Sequence, residues 1–284
     1  MTVHITSWSE ISTFRMCPHK WSLAYLERWT TAVTSPALQK GTMMHAVLEE
    51  HYGAMRRVQR GKLPIESFSK YVEKKINPLL YNESGDQNEV QDLVSWMYAG
   101  YLERYPIAQE MEEWEIIAVE HEAVVPLPNL LGRKSNFHLK MKMDLIARHR
   151  PSRKLYIWDH KTGANLPNDL DLAFNDQFGL YCWGMRQLGK PVWGAWYNAL
   201  RTQRNKTDGQ TIESRHSRTP LYRIDAELNT IATEAFLTIK RAYAIKEGLA
   251  ERAPDSDRCK WMCQFREPCL AGRKGINEKQ FLLD

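Results

Sequence analysis

Asp159-His160-Lys161, within the run WDHKTG, sets a carboxylate and an ammonium two residues apart. A two-residue step along a strand returns to the same face, so both groups share one site at the strand's end. The pairing suits phosphodiester hydrolysis: hard carboxylate oxygens hold Mg²⁺ or Mn²⁺, the ion activates water, and the lysine positions that water or helps deprotonate it. Asp144, ending a Lys-Met-Asp run, offers a second carboxylate. Taken alone, the triplet also fits a surface ion pair. Gln177 and Tyr181 stand four apart on a helical stretch and project from one face, although an exposed Gln and a core Tyr would show the same spacing. His45, four before Glu49, is a polar helix residue that gains meaning only beside these groups.

The five cysteines form a second set. Cys17 lies near the start, while Cys259, Cys263 and Cys269 cluster near the end as C-x3-C-x5-C. An odd count in a chain without a secretory-type N-terminus points to a metal or redox cofactor rather than a disulfide framework, and four thiolates can close a tetrahedral site. Cys182, directly after Tyr181, reads as a small core residue.

The elements that must position these groups follow from periodicity. Ser7 to Tyr25 opens with a Ser7/Glu10 capping box and reads as a helix, a break at Cys17-Pro18 and a second short helix. Thr42 to Arg57 predicts a helix with His45 in its first turn, and helical spacing continues over 65 to 105. Strict alternation over Asn136 to Arg148 predicts a strand with Asp144 on its polar face. Lys154 to Lys161 predicts a second strand ending in a Thr162-Gly163 turn, and Trp114 to Pro126 completes a three-stranded meander. A helix over Asp171 to Leu188 and a strand over Val192 to Leu200 form the strand-helix-strand unit that places strands in parallel. Residues 201 to 219 read as a cationic polar loop, and Asp225 to Gly248 as a long helix.

Length and composition agree. The 284 residues are 43% hydrophobic and 26% charged, enough to bury a core and too apolar for global disorder. A net charge of +5 suits polyanions without proving them. No signal-like or membrane-spanning run is evident, so a cytoplasmic setting without membrane contact is expected.

In order, SWSEISTFRMCPHKWSLAYL, GTMMH, Lys-Met-Asp, WDHKTG and Gln177-to-Tyr181 resemble the PD-(D/E)xK nuclease superfamily, specifically the RecB-like exonucleases that include CRISPR-associated and AddB-type iron-sulfur nucleases. The resemblance implies that His45 binds metal, that Asp144 and Asp159 are the catalytic carboxylates, that Lys161 is the motif lysine, and that the His160 carbonyl is a further ligand. Gln177 and Tyr181 would line the DNA path, and Glu120 matches a strand glutamate of some members. It also implies a four-iron four-sulfur cluster on Cys17, Cys259, Cys263 and Cys269, with Zn²⁺ as the alternative. Many relatives have two residues, not three, between the first two cysteines of the trio.

The expected fold is α/β, a mixed central sheet flanked by helices in a restriction-endonuclease-like core, with a helical insertion and an iron-sulfur-clasped C-terminal segment. Its expected divisions are 1–38, 39–110, 111–248 and 249–284. The expected function is metal-dependent cleavage of DNA, exonucleolytic on single strands, in recombination, repair or DNA-end processing. The alternatives are a non-catalytic DNA-binding subunit of a recombination or CRISPR-adaptation complex and a zinc-containing RNA-processing nuclease. No G-x-x-x-x-G-K-[ST] motif occurs, so unwinding would need a helicase partner. Arg56, Arg57, Arg60, Lys62, Arg201, Arg204, Lys206, Arg215 and Arg218 are candidate phosphate contacts, while Trp193 and Trp196 read as core.

Overall fold

The computed structural model describes residues 2–31, 35–204, 211–245, 249–255, 257–271 and 281–283. In chain order the first elements are β1 (His4–Ser7), α1 (Trp8–Met16), α2 (Pro18–Trp21), β2 (Trp29–Thr31), α3 (Pro36–Gln59), α4 (Phe68–Leu80), α5 (Glu89–Arg104) and α6 (Ile107–Glu113). There follow β3 (Trp114–Pro128), β4 (Lys134–His149), β5 (Leu155–Gly163), α7 (Asp169–Ala173), α8 (Asp176–Gln187), β6 (Val192–Arg201), β7 (His216–Leu221), α9 (Asp225–Ala242), α10 (Arg266–Ala271) and β8 (Phe281–Leu283). The fold is α/β with a mixed sheet flanked by helices. It divides into two compact units, one of residues 1–34, 124–141 and 229–284, the other of 35–123 and 142–228.

In the larger unit, β4 pairs antiparallel with β5, β5 parallel with β6, and β6 antiparallel with β7. The β5-α8-β6 crossover supplies the parallel pair, as the strand-helix-strand pattern requires. Ser35 caps α3, its Oγ accepting from the Leu38 N–H at 3.3 Å, and Pro36 occupies the first turn, where a missing N–H costs nothing. The helix therefore begins six residues before Thr42, and His45 lies in its third turn rather than its first. Met44, Val47, Leu48, Tyr52 and Met55 face inward and join Val94, Met97, Tyr101, Trp114 and Trp158 in one apolar cluster. Burying each such side chain contributes about 1.5–3 kcal/mol.

Three further expectations change. The helix over 171 to 188 is two helices, because Asn175 bends the chain out of α7 and caps α8, its Oδ1 accepting from the Gln177 N–H at 3.1 Å. The cationic loop ends in β7, where Arg218 points inward (below). Trp193 is half exposed, with the Lys154 ammonium 3.2 Å above its ring, because β6 turns that residue away from the core.

In the smaller unit, Ser7 caps α1 by accepting the Glu10 N–H at 3.2 Å, but Glu10 does not close a capping box. Its carboxylate instead accepts from the Trp21 indole at 3.1 Å. β1 adds parallel to the first half of β4, His4 opposite Phe137 and Ser7 opposite Lys140. Phe137 packs on Phe236 and Tyr243, and β2 pairs antiparallel with β8. The long C-terminal helix ends at Ala242; Gly248, its expected terminator, lies outside the described residues. Among the described residues no helix is long and apolar enough to cross a membrane.

Candidate metal centre

Asp144 on β4 and Asp159 on β5 reach one site through a backbone bond: the His160 N–H donates to Asp144 Oδ2 at 2.6 Å. His45 comes from α3, its Nδ1 3.3 Å from Asp144 Oδ1. Gly41, one turn earlier on α3, eases the close approach of helix and strand, since a Cβ there would meet Thr162 Oγ1 at 3.3 Å. Lys161 pairs with Asp159 Oδ2, and the Gln177 amide of α8 donates to Asp159 Oδ1 at 3.2 Å. Tyr181, one turn on, is buried close enough to Asp159 for that charge to raise its pKa, after burial itself. All the residues expected at this site thus converge in the larger unit.

Glu120 is the residue the sequence signalled least. Its carboxylate, with His45 and Asp144, offers ligand atoms all within 4.8 Å of one another. Its φ of 48° lies in the left-handed region in mid-strand, a strained conformation that turns the side chain, and Lys142 Nζ meets it at 2.5 Å. Nothing in the local pattern of AVEHEAVV announces that turn.

Charge is unevenly shared. Burial opposes ionisation of Asp144, but the His45 bond, the histidine charges and the His160 N–H outweigh it and hold the carboxyl at about 2. Asp159 has the opposite balance, burial first and the Asp144 charge with it, and is pushed up to about 6 against the pull of Lys161. Burial lowers the basicity of both His45 and Lys161, yet the facing carboxylates overcome it and raise both pKa values. Lys161 therefore keeps its proton at neutral pH.

Behind the site runs a buried polar chain. Asn198 Nδ2 donates to His160 Nδ1 at 2.7 Å, and Asn198 Oδ1 accepts from Arg218 Nε at 3.2 Å. The amide orientation fixed by Arg218 leaves His160 neutral with its proton on Nε2, in keeping with a pKa lowered to about 3, chiefly by burial. Arg218 also binds Glu110 Oε1 at 2.6 Å and Oε2 at 2.9 Å, and the hydroxyls of Tyr101 at 2.8 Å and Tyr52 at 3.1 Å. It is a buried brace rather than a phosphate contact. Arg204 is committed to Asp92 at 2.6 Å, and Lys206 lies outside the described residues.

In the smaller unit, Cys17, Cys259, Cys263 and Cys269 line one cavity of about 360 Å³ together with Lys20, Arg252, Arg258, Lys260 and Arg266. Backbone N–H groups of Ala253 and Asp255 point at the sulfurs of Cys17 and Cys259, at 3.5 and 3.4 Å. Cys182 is buried in the larger unit, and burial pushes its thiol up to about 12.

A family model described as the PD-(D/E)XK nuclease superfamily matches residues 5–270. The chain belongs to that superfamily. Its members are nucleases that use divalent metals such as Mg²⁺ or Mn²⁺, and the His45, Glu120 and Asp144 group answers to that chemistry. A crystal structure from Eubacterium rectale, named "Putative exonuclease", is similar in fold over 90% of this chain and 87% of its own, with a TM-score of 0.50 and 16% identity. The crystal structure of SSO0001 aligns over 77% of this chain and 82% of its own, with a TM-score of 0.35 and 17% identity. No curated protein matches the chain.

Proposed function

We propose that this superfamily member is a DNA exonuclease acting on single-stranded ends, in recombination, repair or DNA-end processing. The observation that carries the catalytic part is the convergence of His45, Glu120 and Asp144 within 4.8 Å, joined to Asp159 and Lys161 through the His160 N–H. An imidazole and hard carboxylate oxygens fit Mg²⁺ or Mn²⁺. Burial, with the Asp144 charge added to it, raises the Asp159 pKa against the pull of Lys161 and His45, which is the setting a bound cation would relieve.

His45, Asp144 and Asp159 would hold the ion, with Glu120, which closes the 4.8 Å group with His45 and Asp144, and the His160 carbonyl as further ligands. The ion supplies Lewis-acid polarisation of the phosphate and a more acidic water. Lys161, kept protonated, donates to the attacking water or a phosphate oxygen and offsets charge developing there. Gln177 fixes the rotamer of Asp159, and Tyr181 flanks the strand. Single-strand and exonuclease preferences draw on the family resemblance and on the name of the Eubacterium rectale relative.

The cysteine cavity takes a four-iron four-sulfur cluster in this reading. The surrounding lysines and arginines would offset the negative charge of such a cluster.

The test is degradation of end-labelled single-stranded DNA and of blunt duplex by the purified protein. Progressive shortening of the single strand with Mg²⁺ or Mn²⁺, abolished by EDTA, is expected; cleavage unaffected by EDTA, or none with either metal, contradicts the proposal.

A further inference from the structure

Phe174 is 81% exposed, more than any other large apolar side chain among the described residues, yet its backbone is held firmly. Its N–H donates to the Leu170 carbonyl at 3.1 Å, closing α7, and Arg223 Nη2 donates to the Ala173 carbonyl at 2.5 Å. On its other side Asn175 caps α8. Leu170, one turn earlier, is 69% exposed, whereas Leu172 between them is buried at 3% and anchors the turn. The chain thus presents an exposed ring on a held backbone, one turn after a second exposed apolar side chain.

Position gives the ring a use. Three residues on, Gln177 donates to Asp159, so the Phe174 backbone lies within about 11 Å of the Gln177 backbone even if the link were fully extended. Lys161 and Arg201 stand at the ends of the neighbouring strands β5 and β6, and Arg201 Nε donates to the Ala164 carbonyl at 3.0 Å in the segment leading to α7. Cations at the strand ends and an exposed ring on the segment that follows them supply the two parts of a single-strand platform, because every base has a π-face whatever its sequence.

We propose that Phe174 is the stacking platform for a nucleobase of the strand being cut, so that the site selects strands with unpaired bases. The inference rests on the nuclease reading above. In a duplex the base faces are already covered by neighbouring bases, so the ring gains nothing there.

Binding of fluorescein-labelled oligothymidylate, followed by anisotropy in EDTA so that no cleavage occurs, tests it. Phe174→Ala should weaken Kd about tenfold, Phe174→Leu equally, and Phe174→Trp should retain wild-type affinity. Leu131→Ala, an exposed apolar change elsewhere, should leave Kd unaltered, and an abasic oligomer should bind wild type and Phe174→Ala alike. The proposal is overturned if wild type does not bind the oligomer, if Phe174→Ala binds within twofold of wild type, as a protein-docking role for the ring would give, or if Phe174→Leu rescues as well as Phe174→Trp. Cleavage of the same oligomer by wild type in Mg²⁺ separates the two levels. Ring-dependent binding without cleavage removes the nuclease reading and keeps the platform; cleavage with ring-independent binding removes the platform alone.

Discussion

Asp144 Oδ2 accepts the backbone N–H of His160 at 2.6 Å, so the carboxylate of one strand is braced by the peptide between the other strand's carboxylate and lysine. The brace makes the Asp144 position depend on backbone, which side-chain substitution at 160 cannot remove. Asp144→Asn keeps an oxygen for that bond but loses the anion. Mn²⁺ affinity by calorimetry should fall more than about a hundredfold, a larger loss than the tenfold to hundredfold typical of an outer-shell change, and the melting temperature at pH 7 should fall too, because the fold favours the ionised carboxyl.

Arg218 and Glu110 form a buried pair with side chains 10% and 5% exposed. Arg218→Met would leave the buried Glu110 carboxylate without its paired cation, the Tyr52 hydroxyl at 3.3 Å still donating to it. Urea unfolding should show a loss of about 3–5 kcal/mol, and adding Glu110→Gln should recover part of it, since removing both charges removes the stranded one.

Glu10 gives a pH dependence with a definite sign. Burial raises its pKa above 4.5 despite the Trp21 hydrogen bond. A carboxyl with a raised folded-state pKa contributes its full stability below the unfolded value, and loses it as pH rises through the folded value. Glu10→Gln, which keeps an acceptor for Trp21 and carries no charge, should melt higher than wild type at pH 7, with the gap closing below pH 4.5. Parallel melting curves across pH would contradict this.

Cys263→Ser should abolish the visible absorbance and most of the iron, expected at about four per chain in anaerobically purified wild type. It should also lower the melting temperature, because the cluster would tie Cys17 to a segment 242 positions away, a closure costing about 5 kcal/mol in entropy. Unchanged iron content in the variant, or stoichiometric zinc in wild type, would remove the cluster.

The site was legible where chemistry and period coincide. Asp159 and Lys161 share a face because a strand repeats every two residues, and Gln177 lies where the crossover helix must pack against that strand's end. His45 is legible as a helix residue but its turn is not, because the apolar pattern starts at Thr42 whereas the helix starts at Ser35-Pro36, a cap followed by a first-turn proline. The inward turn of Arg218 is hidden because five cations in one stretch look solvated, and Pro220 argues against a strand; β7 is the last strand beyond β6, where a missing N–H is tolerated. Its partners Glu110, Tyr52 and Asn198 lie far off in sequence, and no local pattern links them. The turn of Glu120 was invisible for a related reason, since a left-handed residue within a strand leaves no trace in composition.

The most direct test compares single-strand degradation in Mn²⁺ by wild type, Asp159→Ala and Lys161→Ala, with folding checked by melting and cluster content by absorbance. Both variants should keep wild-type absorbance and lose at least about a thousandfold in rate, the scale at which removing groups that stabilise developing charge is felt. Wild-type rates in either variant would contradict the account.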